Sequence, residues 1–93
     1  PTTFLDINYQ IKFLESLKNL IQIKKISIIT VLHDVNLAAR FCDRIAILKE
    51  GKLIDINTPK KVFNKKNFKR GFDIDSHIID TPVGIQIFPV SKI

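Results

Sequence analysis

The stretch that most restricts the fold is Ile26-Ser27-Ile28-Ile29-Thr30-Val31-Leu32, a β-branched apolar run that ends abruptly in His33 and Asp34. Its composition and length predict a strand over about 26–32 that is apolar on both faces, as strands at the centre of parallel sheets are. In such sheets ligands gather beyond the carboxyl ends of the strands, so His33 stands where a site residue stands. Position alone leaves two readings of His33: an imidazole satisfied at a strand end, or one that meets a ligand. Beyond it, Val35, Leu37, Ala38, Phe41 and Cys42 recur at close to a helical period. They predict a short helix over about 35–42, with Asp34 either capping that helix or orienting His33.

Before this run, Ile7, Ile11, Phe13, Leu14, Leu17, Leu20 and Ile21 recur at i, i+3 and i+4. They predict an amphipathic helix over about 7–22 with one face on a sheet, Asp6 as its N-cap and Lys24-Lys25 near its negative end. Arg44 to Leu48 makes another strand. Glu50-Gly51 reads as a tight hairpin turn into Lys52–Asn57, an edge candidate in which Leu53 disturbs the alternation. Thr58 at the cap and Pro59 at the first helical position open a short basic helical region that Gly71 closes. From Phe72 the texture becomes alternating, predicting two strands joined at Thr81-Pro82-Val83-Gly84.

Ninety-three residues make at most one small domain, and 45% hydrophobic residues allow it some core. The single Cys excludes an internal disulfide framework and suits a reducing cytosol; Cys42 reads as a small apolar side chain. No apolar run approaches the ~18 to 20 residues of a bilayer span and no signal peptide is evident, so the sequence reads as a soluble protein. Net charge is +6, and six of the fifteen basic residues fall between Lys60 and Arg70 with no acidic residue among them. Their sparse apolar companions Val62, Phe63 and Phe68 favour a solvated helix face over a binding patch. His77 has no acidic or cysteine partner at metal-ligand spacing and reads as structural or exposed.

Taken in order, Thr3-Phe4-Leu5-Asp6, the strand ending in His33 and the segment Asp43-Arg44-Ile45-Ala46-Ile47-Leu48-Lys49-Glu50-Gly51-Lys52 resemble the second half of an ATP-binding cassette (ABC) ATPase. In that family a D-loop matching residues 3–6 precedes a strand ending in a switch histidine, matching His33, and two closing strands follow. Phe4 departs from the small or polar residue usual in the loop. The tail, an acidic-apolar strand, a Pro-Val-Gly turn and an apolar-Pro ending, is similar to importer ATPases for iron-siderophore complexes, haem and cobalamin.

The resemblance implies an α/β fold: the C-terminal part of a P-loop NTPase domain, with parallel strands, flanking helices, a hairpin and a small extension. It divides the chain into a core portion, 1–58, and an extension, 59–93. It implies that His33 contacts the γ-phosphate in the parent enzyme and that Asp6, besides capping a helix for ~1 kcal/mol, joins two ATPase subunits across ATP and Mg²⁺. The implied partners are a second copy and membrane permease subunits, at the cytoplasmic inner face of the cell membrane, with no nucleic acid. No Gly-x-x-x-x-Gly-Lys phosphate loop occurs in the sequence, and the family's Asp-Glu pair and signature motif would precede Pro1. The chain therefore reads as an inactive fragment or truncated product of a longer ATPase that holds neither ATP nor Mg²⁺ alone. Two alternatives remain at this point: a non-catalytic regulatory product, and a small basic nucleic-acid binder.

Overall fold

A computed structural model describes residues 7–93. They belong to two compact units, Pro1–Leu32 and His33–Ile93. Asp6, expected to cap the first helix and to belong to the D-loop, lies outside the described residues.

In the first unit, helix α1 spans Ile7–Lys24, as the periodicity predicts, and its stripe Ile11, Leu14, Leu17 and Ile21 is the least exposed. The chain leaves α1 through Lys25, whose φ of 54° places it in the left-handed region. The predicted strand over 26–32 does not form: these residues have no regular secondary structure, Ile29 is 99% exposed and Val31 81% exposed. The physical reason is the absence of a partner strand among the described residues. A strand exists only when a neighbour takes its N–H and C=O groups, and among the described residues all four strands are engaged in two separate two-stranded antiparallel sheets. The expected parallel sheet is corrected accordingly; what forms is an α/β arrangement of helices and two antiparallel hairpins.

The second unit begins with α2, Val35–Phe41. Strands β1, Ile45–Lys49, and β2, Lys52–Asn57, then form the expected hairpin. Glu50 and Gly51 carry φ of 51° and 76°, the paired positive values of a type I′ turn, which glycine at the second position makes easy. Asp55 pairs with Ile47 and Leu53 with Leu48, leaving Ile54 as an extra residue; this bulge is what disturbs the alternation around Leu53.

The basic region is two helices rather than one, α3 at Pro59–Val62 and α4 at Lys65–Phe72. Asn64 divides them: its backbone is extended, and its Oδ1 accepts from Asn67 N at 2.8 Å, which begins a new helix at that point. Gly71 does not close α4 but lies inside it, and a Cβ there would meet Ile47 Cγ2 at 2.9 Å. The glycine lets α4 approach β1. Closure falls instead to Asp73, in the left-handed conformation with φ 57°. Lys49 Nζ reaches the end of α4, donating to Arg70 O at 3.1 Å and to the Asp73 carboxylate at 3.1 and 3.2 Å, a cation at the negative pole of the helix.

Strands β3, Ile74–Thr81, and β4, Gly84–Lys92, pair antiparallel with Val90 bulged out between the Asp75–Ser91 and Ser76–Pro89 pairs. Helix α2 packs on β4, α4 packs on β3, and α3 and α4 pack on the β1–β2 hairpin. Val62, Phe68 and Ile87 are fully buried at the centre. Phe68 stands between Phe63 and Phe72, with ring centroids 5.2 Å away on either side. Asn67 is 3% exposed and satisfies its amide by donating to Val62 O at 2.8 Å and Asp55 Oδ2 at 2.9 Å, so its burial carries no unmet polar group on the donor side.

Candidate functional site

The site begins where α2 begins. Asp34 occupies the N-cap with φ −89° and ψ 107°, and its Oδ1 accepts from Asn36 N at 2.9 Å and Leu37 N at 3.2 Å. Its own carbonyl accepts from Ala38 N at 3.0 Å. Side chain and main chain of Asp34 are thus both committed to starting the helix, a role that contributes about 1 kcal/mol. Between capping and orienting His33, the geometry selects capping.

His33 directly precedes this locked residue and is exposed. Its imidazole has no hydrogen-bond partner among the described residues, which leaves a ring N–H available to an incoming acceptor. The first turn of α2 is held from the other side by β4. Asn36 Oδ1 accepts from Ile87 N at 2.6 Å, Asn36 Nδ2 donates to Ile87 O at 3.1 Å, and Gln86 Nε2 donates to Asn36 O at 3.3 Å. The amide of Asn36 therefore occupies the outer edge of β4 as one residue of a neighbouring strand would. Sequence reasoning missed Asn36 and Gln86. The signal present was weak: an Asn in the first turn of a seven-residue helix, where its helix propensity is poor.

Other sequence candidates are not gathered here. His77 is exposed on β3 opposite Phe88, and among the described residues no group of three or more His, Cys, Asp or Glu side chains has a metal-binding arrangement. Cys42 is half-buried at the C-cap of α2 and donates its N–H to Ala38 O at 3.0 Å. Lys60, Lys61, Lys65, Lys66, Lys69 and Arg70 are all exposed, whereas Val62, Phe63 and Phe68 are buried; Lys69 lies 3.7 Å from Asp75. An open hollow of about 330 Å³, with Thr58, Lys60 and Asp80 among its lining residues, involves none of the site residues. Among the described residues no helix is long and apolar enough to cross a membrane.

No protein-family model matches the chain. Comparison with curated proteins does find relatives. The chain is 39% identical over 83 residues to the ferric enterobactin transport ATP-binding protein FepC of Escherichia coli (strain K12), covering 89% of this chain and 31% of that protein. It is 42% identical over 78 residues to the petrobactin import ATP-binding protein FpuC of Bacillus anthracis, covering 84% of this chain and 29% of the relative. With the cobalamin import ATP-binding protein BtuD of Halobacterium salinarum it shares 33% identity over 73 residues, 78% of this chain and 18% of the relative. The chain is a homologue of the ATP-binding subunits of ABC importers. Within that class its relatives are of the siderophore, haemin and cobalamin import type, and it spans about a third or less of their length.

Proposed function

We propose that the chain is the carboxy-terminal portion of the ATP-hydrolysing subunit of an ABC importer for an iron chelate, haem or cobalamin. The observation that carries this reading is homology to import ATP-binding proteins over most of the chain, and the exposed imidazole at the head of a firmly capped helix is in keeping with it. In this reading His33 donates a hydrogen bond to the γ-phosphate as charge develops there, and Asp6 joins two ATPase subunits. Phosphoryl transfer to water asks little covalent chemistry of the protein, and a donor placed where charge develops is one of its main contributions.

The whole subunit would bind ATP with Mg²⁺, pair with a second copy and work with membrane permease subunits at the cytoplasmic face of the cell membrane. Residues 1–58 would contribute to the ATPase core and 59–93 would form an extension. The Gly-x-x-x-x-Gly-Lys pattern is missing from the sequence, and among the described residues no group of three or more His, Cys, Asp or Glu could hold a metal ion. The phosphate cradle and the magnesium site therefore belong to other parts of the parent in this reading, and the 93-residue chain alone is inactive; Mg²⁺-dependent turnover by it would overturn that point. The test of His33 is ATP hydrolysis by the native polypeptide that carries this sequence. His33→Ala is expected to lower kcat on the order of 10² to 10⁴ fold, and wild-type turnover would refute its assigned role.

A further inference from the structure

We infer that Asn36 is a positioning residue for His33, through which strand β4 of the carboxy-terminal hairpin fixes where the imidazole stands; this rests on the reading of His33 given above. Four polar groups of Asn36 are engaged. Its N–H donates to Asp34 Oδ1 and its C=O accepts from Gln86 Nε2. Its side-chain amide makes the two-point contact with Ile87 at 2.6 and 3.1 Å. The Asp34 cap, which immediately follows His33, is thereby tied through Asn36 to Ile87, 51 positions beyond Asn36 in sequence.

The tie sits on rigid ground. Ile85 and Ile87 of β4 are 7% and 1% exposed, and Leu37, Ala38 and Ala39 of α2 are each 8% exposed, so apolar packing supports the polar contact. α2 carries no acidic residue in its first turn and has seven residues, too short to hold itself without tertiary contacts. Loosening Asn36 releases the end of α2 next to the histidine while the packed Leu37–Ala39 face stays in place. A shift of roughly 1 Å in a group that must meet a reacting phosphate is enough to cost up to about 100-fold in rate.

The experiment is steady-state ATP hydrolysis by the native polypeptide, with kcat and KM read separately. Asn36→Ala is expected to lower kcat about 10- to 100-fold with KM little changed, since the loss concerns an interaction made in the transition state. In a His33→Ala background the same substitution is expected to lower kcat no further, because both changes remove one contribution. Gln86→Ala removes the long hydrogen bond to Asn36 O together with the local one from Gln86 Nε2 to Ile85 O at 2.8 Å, leaves the Asn36–Ile87 contact in place and guards against misfolding of the first variant; it is expected to lower kcat about two- to ten-fold, again with no further effect once His33 is gone. Wild-type kcat in both Asn36→Ala and Gln86→Ala, in a protein that His33→Ala inactivates, would overturn the inference and leave the role of His33 standing. Losses that simply add to that of His33→Ala would also overturn it. Wild-type turnover in His33→Ala itself would remove the reading on which it rests.

Discussion

Ile29 and Ile87 are the same residue type in equally β-prone sequence, yet one is 99% exposed and the other 1% exposed. Ile87 belongs to a strand that pairs with β3 and is met on its outer edge by Asn36. Ile29 lies in a run with no neighbouring strand among the described residues. The difference shows that β-branched composition supplies the readiness for a strand and a partner supplies the strand itself. The antiparallel hairpins carry their partners within a few residues, across Glu50-Gly51 and Pro82-Val83. A parallel strand finds its partner only across a long crossover.

The comparison can be broken most severely from the packed side. Phe68 is 1% exposed and flanked by two aromatic rings. Phe68→Ala is expected to cost about 3–5 kcal/mol, enough to unfold a unit of this size, and thermal denaturation followed by circular dichroism checks it. Gly71→Ala should cost less. The helix gains roughly 1 kcal/mol of propensity, but the new methyl enters 2.9 Å from the buried Ile47 and overpacking costs about 1–3 kcal/mol. A net loss of about 1 kcal/mol is expected in chemical denaturation, and a gain would mean that α4 and β1 separate easily.

Ile29→Lys gives the smallest effect and sharpens the comparison most. In the 93-residue chain it is expected to change stability by less than about 0.5 kcal/mol, as exposed positions do. In a longer polypeptide that supplies a partner strand, the same substitution would bury a charge and cost several kcal/mol. Equal, small effects in both settings would mean that 26–32 never becomes a strand.

Much of the architecture was legible because its causes are local. The i, i+3, i+4 pattern gave α1, Asp34 announced the start of α2, Glu50-Gly51 marked the first hairpin, and the change of texture after Phe72 marked the second. The division of the basic region at Asn64 was less legible, since an Asn in a helical stretch has several uses until its Oδ1 is seen to accept from Asn67. By sequence alone Gly71 reads as a stop, because glycine often ends helices, whereas in the fold it allows proximity to Ile47, far away in sequence. The site divided in the same way. His33 and the capping choice for Asp34 stand in adjacent sequence, but the hold of Asn36 on Ile87 depends on residues 51 positions apart, and no periodicity reports such a pairing.

The intact mass of the native polypeptide, captured from its source through the Lys60–Arg70 region, most directly tests whether this chain is part of an importer ATPase. The 93 residues alone weigh 10.7 kDa, and they span 31% of FepC and 29% of FpuC. A mass roughly three times that of the chain, the ratio expected for a single ATPase domain of a few hundred residues, is the predicted result. A native mass of 10.7 kDa would contradict it, leaving Ile26–Leu32 without a partner strand among the described residues.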